Sequence, residues 1–311
     1  MIGFADQPSR LGLAATKASK PVIRLSCADN TFRLVQPWES AVEMIRLLEL
    51  EAVDVCLMGN RSHLRPEDVR SDLPATAARI TRGLAERGLA VSDLFCIPWT
   101  DFERNAPNHP DPYNRAQSRA LFFDMLELAE RIGAPGMTML PGIDWPGESH
   151  EDSFDRAVDE LAKRAAAARS RGIGFSIEPH FGSIAASPAE AKRLCALADG
   201  LELTLDYSHF VSQGYAEAEI EPLVPHARHF HARGAREGRM QCALKDSTID
   251  FERMLDAAAE AGYQGDVGLE YLWIDWEHLN ECDTVSETIL LRDRLRAKLE
   301  GRPWHYPAST I

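Results

Sequence analysis

Short apolar runs alternate with longer amphipathic stretches along most of the 311-residue chain. The apolar runs are rich in β-branched residues and are bounded by glycine, proline and polar residues, a pattern that predicts buried strands. Eight strands are predicted, at Val22–Cys27, Val53–Met58, Ala90–Pro98, Met137–Pro141, Ile173–Pro179, Leu201–Tyr207, Ala227–His231 and Val267–Tyr271.

The stretches between these runs place apolar residues three and four positions apart, which predicts helices that bury one face. The predicted helices are Trp38–Leu50, Thr76–Leu89, Arg115–Ile132, Phe154–Arg171, Pro188–Ala198, Phe251–Ala261 and Ser286–Leu299. Ser153 is the expected cap of the helix at Phe154, and Ser187 precedes a proline in the first helical position. The crossover near Ala216–Val224 has the weakest pattern.

Strands that alternate with helices predict βαβ units and a parallel sheet, and eight such units predict an α/β fold with one closed (β/α)8 TIM barrel. The rival is an open, doubly wound sheet, but no G-x-G-x-x-G follows the first strand and no G-x-x-x-x-G-K-[ST] occurs. We expect an N-terminal arm at residues 1–20, the barrel at 21–300 and a tail at 301–311.

The charge balance narrows the classes of partner. The chain has 34 Lys and Arg residues against 48 Asp and Glu residues, a formal net charge of −14, which disfavours nucleic acid and anionic membranes as partners. The six cysteines form no C-x-x-C pair and fit buried thiols in a reducing compartment. No apolar run reaches the roughly 20 residues of a membrane span, and no signal-peptide pattern opens the chain. We expect a cytoplasmic protein.

Polar residues stand at the carboxyl ends of the last four predicted strands, where barrels of this kind place their active sites. They are Glu178 in SIEPH, Asp206 in LTLDYSH, His231 in HFHARG and Glu270 in GLEY. Three carboxylates and an imidazole suit a hard or borderline divalent ion, with Mn²⁺ expected first and Mg²⁺ or Co²⁺ as alternatives. Each residue taken singly also fits an ordinary buried ion pair.

These four motifs resemble the xylose isomerase-like TIM barrel family, which includes sugar isomerases and epimerases, inosose and dehydroshikimate dehydratases and endonuclease IV. The resemblance covers roughly residues 21–300 and implies that Glu178, Asp206, His231 and Glu270 are the metal ligands. It also implies that His209 touches substrate. Two positions depart from the ketose 3-epimerases, because Ile184 replaces a substrate-binding glutamate and Glu237, beside Arg236, replaces an arginine.

The resemblance implies a sugar, keto-sugar or cyclitol as substrate and proton abstraction next to a carbonyl through a metal-stabilised enediolate. Glu178 and Glu270 are the expected proton carriers, and His180, on the same strand face as Glu178, is a third catalytic candidate. An isomerase or epimerase is the first hypothesis. The alternative is a lyase or dehydratase of the same fold, including a C-glycoside deglycosidase component. An endonuclease IV-like nuclease and a non-catalytic sugar-binding barrel are further alternatives.

Several residues near the predicted strand ends are candidates for substrate binding, although core or lid packing is the commoner use of the tryptophans and a surface loop also explains the others. They are Arg236, Trp99, Trp145, Trp273 and His63, the last with Arg61 beside it in the motif GNRSH. His229 is expected to be a structural partner of His231. The resemblance further implies a homo-oligomer or a complex with a small subunit.

Overall fold

The computed structural model describes residues 23–99, 101–275 and 277–307, so the predicted arm at residues 1–20 lies outside the described residues. Eight parallel strands close into a barrel in chain order, and the last pairs with the first. The strands are β1 (Arg24–Ala28), β2 (Ala52–Met58), β3 (Ala90–Ile97), β4 (Gly136–Met139), β5 (Gly174–Ile177), β6 (Glu202–Asp206), β7 (Ala227–Ala232) and β8 (Asp266–Leu269). The predicted (β/α)8 barrel is therefore confirmed, and the open sheet is excluded.

The helices lie between consecutive strands, except the last, which follows β8. They are α1 (Trp38–Leu47), α2 (Pro66–Ser71), α3 (Leu73–Ala85), α4 (Pro112–Ile132), α5 (His150–Ser170), α6 (Pro188–Leu197), α7 (Tyr207–Val211), α8 (Glu217–Ile220), α9 (Phe251–Glu260) and α10 (Thr284–Leu299). Short 3-10 helices occupy Asp29–Phe32, Glu221–His226, Leu244–Asp246 and Leu279–Glu281. The weakly patterned crossover around residue 216 thus consists of short helical pieces.

Several helices begin earlier than the apolar periodicity predicts, because side-chain caps fix their first turns. The predicted cap Ser153 is wrong: α5 is capped by Ser149, whose hydroxyl accepts a hydrogen bond from the backbone N–H of Asp152. Ser153 lies inside the first turns of α5 and is buried. Asp111 caps α4 in the same way, so that helix starts at Pro112 rather than Arg115.

Hydrophobic layers pack on both faces of the barrel strands. The larger one fills the space between the barrel and its helices, and a smaller cluster lies inside the barrel around Ala28, Cys56, Met58 and Phe95. Much of the rest of the barrel interior is polar, which is where the functional candidates lie. After α10 the described tail residues 301–307 carry no helix, and Trp304 packs against the larger layer. Among the described residues, no helix combines the length and apolar character needed to cross a membrane.

Candidate metal centre

The four predicted ligands lie at the carboxyl ends of β5 to β8. Glu178 and Glu270 directly follow β5 and β8, Asp206 is the last residue of β6, and His231 lies near the end of β7. All four are buried, with exposed fractions of 4% for Glu178, 1% for Asp206, 0% for His231 and 1% for Glu270. Because side chains alternate along a strand, each of these positions faces the interior of the barrel.

Local backbone bonds hold these residues in place. The backbone N–H of Glu270 donates to the carbonyl of Ala232 at 3.0 Å, and that of Glu178 donates to Met139 at 3.1 Å, so each continues the sheet ladder past the strand end. Asp206 caps α7, since its Oδ1 accepts from the backbone N–H of Ser208 at 2.8 Å. That cap uses Oδ1 and leaves Oδ2 of Asp206 beside Arg233 and His209.

The ligand atoms form two overlapping triads, each with its atoms within 4.8 Å of one another. Glu178, His231 and Glu270 make the first triad, in which Nδ1 of His231 lies 2.6 Å from Oε1 of Glu178 and 3.6 Å from Oε2 of Glu270. Glu178, Asp206 and His209 make the second, with Nε2 of His209 3.7 Å from Oε2 of Glu178. The two triads share Glu178 and contain all four predicted ligands.

The donor set fits a divalent cation. Among the described residues, Oε1 of Glu270 and Oδ2 of Asp206 are buried and have no hydrogen-bond partner, although Oδ2 of Asp206 lies 2.8 Å from Arg233 and 3.9 Å from His209. Buried carboxylate oxygens of this kind are costly unless a cation satisfies them. Carboxylate and imidazole donors suit Mg²⁺, Mn²⁺ or Co²⁺, so the residues present fit the implied metal.

The environments of the two glutamates differ. Burial alone would raise the pKa of Glu178, but His231 and His209 outweigh it and hold that pKa well below its usual value. Burial raises the pKa of Glu270 to about 7, because the opposing effects of His231 and Arg233 are smaller. The two carboxyl groups therefore differ in proton affinity, as in sites that pair an acid with a base.

Arg233 is a functional residue that the sequence analysis missed. Its Nη2 lies 2.8 Å from Oδ2 of Asp206, and its Nη1 lies 3.4 Å from Oε2 of Glu270. Burial alone would lower the pKa of Arg233, but Asp206 and Glu270 outweigh it and raise that pKa. A signal was present, because Arg233 stands two residues after His231 and so shares its inward face.

A second buried layer lies beneath the centre. Asp54, in the middle of β2, accepts a hydrogen bond from Ser26 at 3.0 Å and another from Ser92. Its Oδ2 lies 2.9 Å from Nε2 of His229 and 3.3 Å from Nε2 of His231. The sequence analysis placed His229 beside His231 but missed Asp54, whose signal was a carboxylate inside an otherwise apolar strand.

His180, two residues beyond Glu178, is also buried. Its Nδ1 lies 2.8 Å from the carbonyl oxygen of Phe181 and must carry the hydrogen that bond requires. Nε2 has no hydrogen-bond partner among the described residues. Burial lowers the pKa of His180 to about 4, with His209 as a second cause. The ring is 4.7 Å from that of Phe102, and both line a crevice with Trp99.

The other predicted substrate residues have different surroundings in the structure. His209 belongs to the metal centre, and Trp99 lines the same crevice as His180. Trp145 instead donates to Asn108 at 3.1 Å, and its ring contacts that of His109. A ring nitrogen of His63 lies 2.8 Å from the carbonyl of Val35.

Two predicted residues stand in loops. Arg236 is exposed in a turn whose backbone pairs with Arg239, and Trp273 is half-buried three residues after Glu270. A role of either residue in substrate binding stays a prediction, as do such roles for Trp99, Trp145, His63 and His209.

The chain is similar in sequence pattern and fold to known proteins. Residues 42–290 match the family model of the xylose isomerase-like TIM barrel. An L-ribulose 3-epimerase structure is 18% identical with a TM-score of 0.71, over 90% of this chain and 95% of that one. D-psicose 3-epimerase from Clostridium cellulolyticum H10, solved with D-tagatose, is 14% identical with a TM-score of 0.70, over 89% and 99%.

A xylose isomerase-like TIM barrel protein from Mycobacterium smegmatis, in complex with magnesium, is 16% identical with a TM-score of 0.66, over 89% of this chain and 98% of that one. No curated protein is a significant match to the sequence. At these identities the structural likeness establishes the fold alone.

Proposed function

The chain belongs to the xylose isomerase-like TIM barrel family, and we propose that it is a divalent-metal-dependent isomerase or epimerase of a sugar, keto-sugar or cyclitol. The observation that carries the proposal is the pair of triads sharing Glu178, which gathers three carboxylates and two imidazoles at the catalytic end of a barrel. The likeness to structures of sugar 3-epimerases supports the same class.

Glu178, Asp206, His231 and Glu270 would hold the cation, with Mn²⁺ proposed first and Mg²⁺ or Co²⁺ as alternatives. A divalent ion held there would polarise the substrate carbonyl and stabilise the negative charge that develops on its oxygen. A magnesium complex of one structural neighbour is consistent with this choice of donor set.

The protein groups then move the proton. Glu178 and Glu270 reach the Nδ1 side of His231 from β5 and β8, two strands that are separated in the barrel by β6 and β7. A substrate carbon between them would present a different face to each carboxyl group. One glutamate removes the proton next to the carbonyl, and the other returns a proton from the opposite side.

A lyase or dehydratase is the second candidate, and a specific observation favours it. Nε2 of His180 is a buried nitrogen without a hydrogen-bond partner among the described residues, and it stands beside an aromatic crevice formed with Trp99 and Phe102. Such a nitrogen would accept a proton in an elimination. In that reaction one carbon loses its proton and a group leaves the neighbouring carbon. The crevice has a volume of about 20 Å³, which suits water as the leaving group.

Metal analysis followed by solvent-deuterium exchange tests the proposal. The purified protein should contain or take up about one divalent ion per chain, and with Mn²⁺ it should incorporate deuterium from the solvent into keto-sugars or cyclitols. Glu178→Gln should abolish the exchange, whereas Glu237→Gln, at an exposed loop position, should not. Exchange without loss of a group indicates an epimerase or isomerase, and release of water or an aglycone indicates a lyase. A protein that takes up no metal contradicts the proposal.

A further inference from the structure

Arg233 is a buried cation placed among the predicted metal ligands. Its side chain is 2% exposed and contacts Asp206 and Glu270, while its Nε donates to the hydroxyl of Ser208 at 2.9 Å. A guanidinium group buried without compensation is strongly unfavourable. The two carboxylates explain why the fold tolerates it, but they do not use all of its donors.

The guanidinium group keeps hydrogen-bonding capacity that faces the site. Nη1 has no hydrogen-bond partner within the described parts of the chain, although it is buried. Nη2 lies 3.3 Å from Nε2 of His209, so the planar group is fixed from the other side as well. A rigid arginine fork whose Nη1 makes an ion pair at 3.4 Å with Glu270 but no hydrogen bond is suited to a further carboxylate, which it recognises through directed hydrogen bonds.

The charge of the site points to the same partner. Glu178, Asp206 and Glu270 supply three negative charges, and Arg233 supplies one positive charge. A divalent cation would bring that total to zero, whereas the same ligands without Arg233 would keep one negative charge. Because like charges in a buried site repel strongly, the arginine is what makes the centre compatible with a negatively charged substrate.

We propose that the substrate is a sugar acid, whose carboxylate accepts a hydrogen bond from Nη1 of Arg233. This inference rests on the proposed metal-dependent function and names its substrate class. The donor lies 3.4 Å from Oε2 of Glu270, a predicted ligand. The carboxylate must therefore be bonded near the carbonyl carbon that reacts, not at the far end of the sugar.

A series built on one carbon skeleton tests this placement. D-fructose is the neutral reference, 2-keto-D-gluconate carries a carboxylate at C1, D-fructuronate carries it at C6, and D-fructose 1-phosphate carries a phosphate at C1. Binding to the Mn²⁺-loaded protein is measured by calorimetry, with each ligand also titrated into Mn²⁺ alone. We expect 2-keto-D-gluconate to bind at least about tenfold more tightly than D-fructose, as for a hydrogen bond to a charged group, and D-fructuronate to bind like D-fructose.

Variants connect the preference to Arg233. Arg233→Met should reduce the preference for 2-keto-D-gluconate to less than about threefold, while Arg171→Met, which changes an exposed arginine directly after α5, should keep it. If Arg233→Met does not fold, Arg233→Lys retains the charge without the fork and should weaken the preference. If both variants fail to fold, the wild-type series still overturns the inference when 2-keto-D-gluconate binds no more tightly than D-fructose.

The outcomes separate the inference from the proposed function. Equal binding of 2-keto-D-gluconate and D-fructose by a protein that binds Mn²⁺ overturns the inference alone. Tighter binding of D-fructose 1-phosphate than of 2-keto-D-gluconate also overturns it, in favour of a sugar phosphate. A preference that persists in Arg233→Met places the carboxylate elsewhere and overturns it too. A protein without Mn²⁺ in the same samples overturns the proposed function.

Discussion

Asp54 lies 3.3 Å from Nε2 of His231, on the side of the imidazole ring away from Glu178. The ring therefore has a carboxylate against each nitrogen, and the Asp54 contact leaves Nδ1 directed at the predicted ligand triad. Carboxylates that hold the second nitrogen of a ligating histidine fix its orientation and raise its basicity. We therefore expect Asp54 to position the ring of His231, a predicted metal ligand.

Asp54→Asn should lower the affinity for Mn²⁺ by about tenfold or more, because a neutral amide holds the His231 ring less firmly. Competition with a fluorescent chelator measures this affinity without any assumption about substrate. Asp93→Asn is the matched control, since Asp93 is equally buried but contacts Arg228. Equal Mn²⁺ affinity in both variants would contradict the role assigned to Asp54.

Gly268 provides the space that Asp54 occupies. A Cβ atom at this position would lie 2.1 Å from Oδ2 of Asp54, closer than packing allows, and 3.2 Å from Nε2 of His229, which is tighter than most Cβ contacts. Gly268→Ala should therefore reduce the free energy of unfolding by about 1–3 kcal/mol and also weaken Mn²⁺ binding. Val267→Ala, on the outward side of β8, should cost stability alone. Urea unfolding and chelator competition on both variants separate these effects.

The barrel was predictable because its strands are buried on both faces and so appear as continuous apolar runs. The first residues of the helices were harder to predict. Ser149 and Asp111 fix them through single hydrogen bonds, which leave no mark in the apolar periodicity. The four predicted ligands lie together because each occupies the inward position at a strand end.

Asp54 and Arg233 escaped the sequence analysis for a different physical reason. The contact between Asp54 and His229 joins positions 175 residues apart, and only the closed barrel brings them together. Arg233 follows its strand in a segment where an arginine is usually solvated. Its burial depends on Asp206 and Glu270, which come from two other strands.

Asp29 should make stability depend on pH. Burial raises its pKa to about 7, although hydrogen bonds from Trp38 and from the backbone of Cys56 oppose the shift. In the unfolded chain the pKa is about 4. Between these values the folded protein holds a proton that the unfolded chain has lost, so the free energy of unfolding falls as pH rises from about 4 to 7.

Asp29→Asn removes this titration. Its free energy of unfolding minus that of the wild type should rise by up to about 1.4 kcal/mol per pH unit up to pH 7, and then level off. Urea unfolding at pH 5, 6, 7 and 8 gives the difference. Asp199→Asn, at an exposed position, should give a difference that does not change with pH. A flat difference for Asp29→Asn as well would show that Asp29 does not titrate in this range.

His180 is held as one tautomer, because the hydrogen on Nδ1 is required for the bond to the carbonyl of Phe181. Its Nε2 therefore carries a lone pair in the crevice beside Glu178. If this nitrogen accepts a proton during the reaction, His180→Gln should slow deuterium exchange or elimination by about 10²–10⁴-fold. Mn²⁺ affinity should not change, since His180 belongs to neither triad.

Two measurements distinguish this role from simple packing against Phe102. Nitrogen-15 NMR of the histidine rings should show His180 protonated at Nδ1 and unprotonated at Nε2. His278→Gln, a change at an exposed histidine, should leave the reaction rate at the wild-type value. A His180→Gln variant that keeps both the wild-type rate and the wild-type Mn²⁺ affinity would reduce His180 to a packing residue and would remove the observation that favours a lyase.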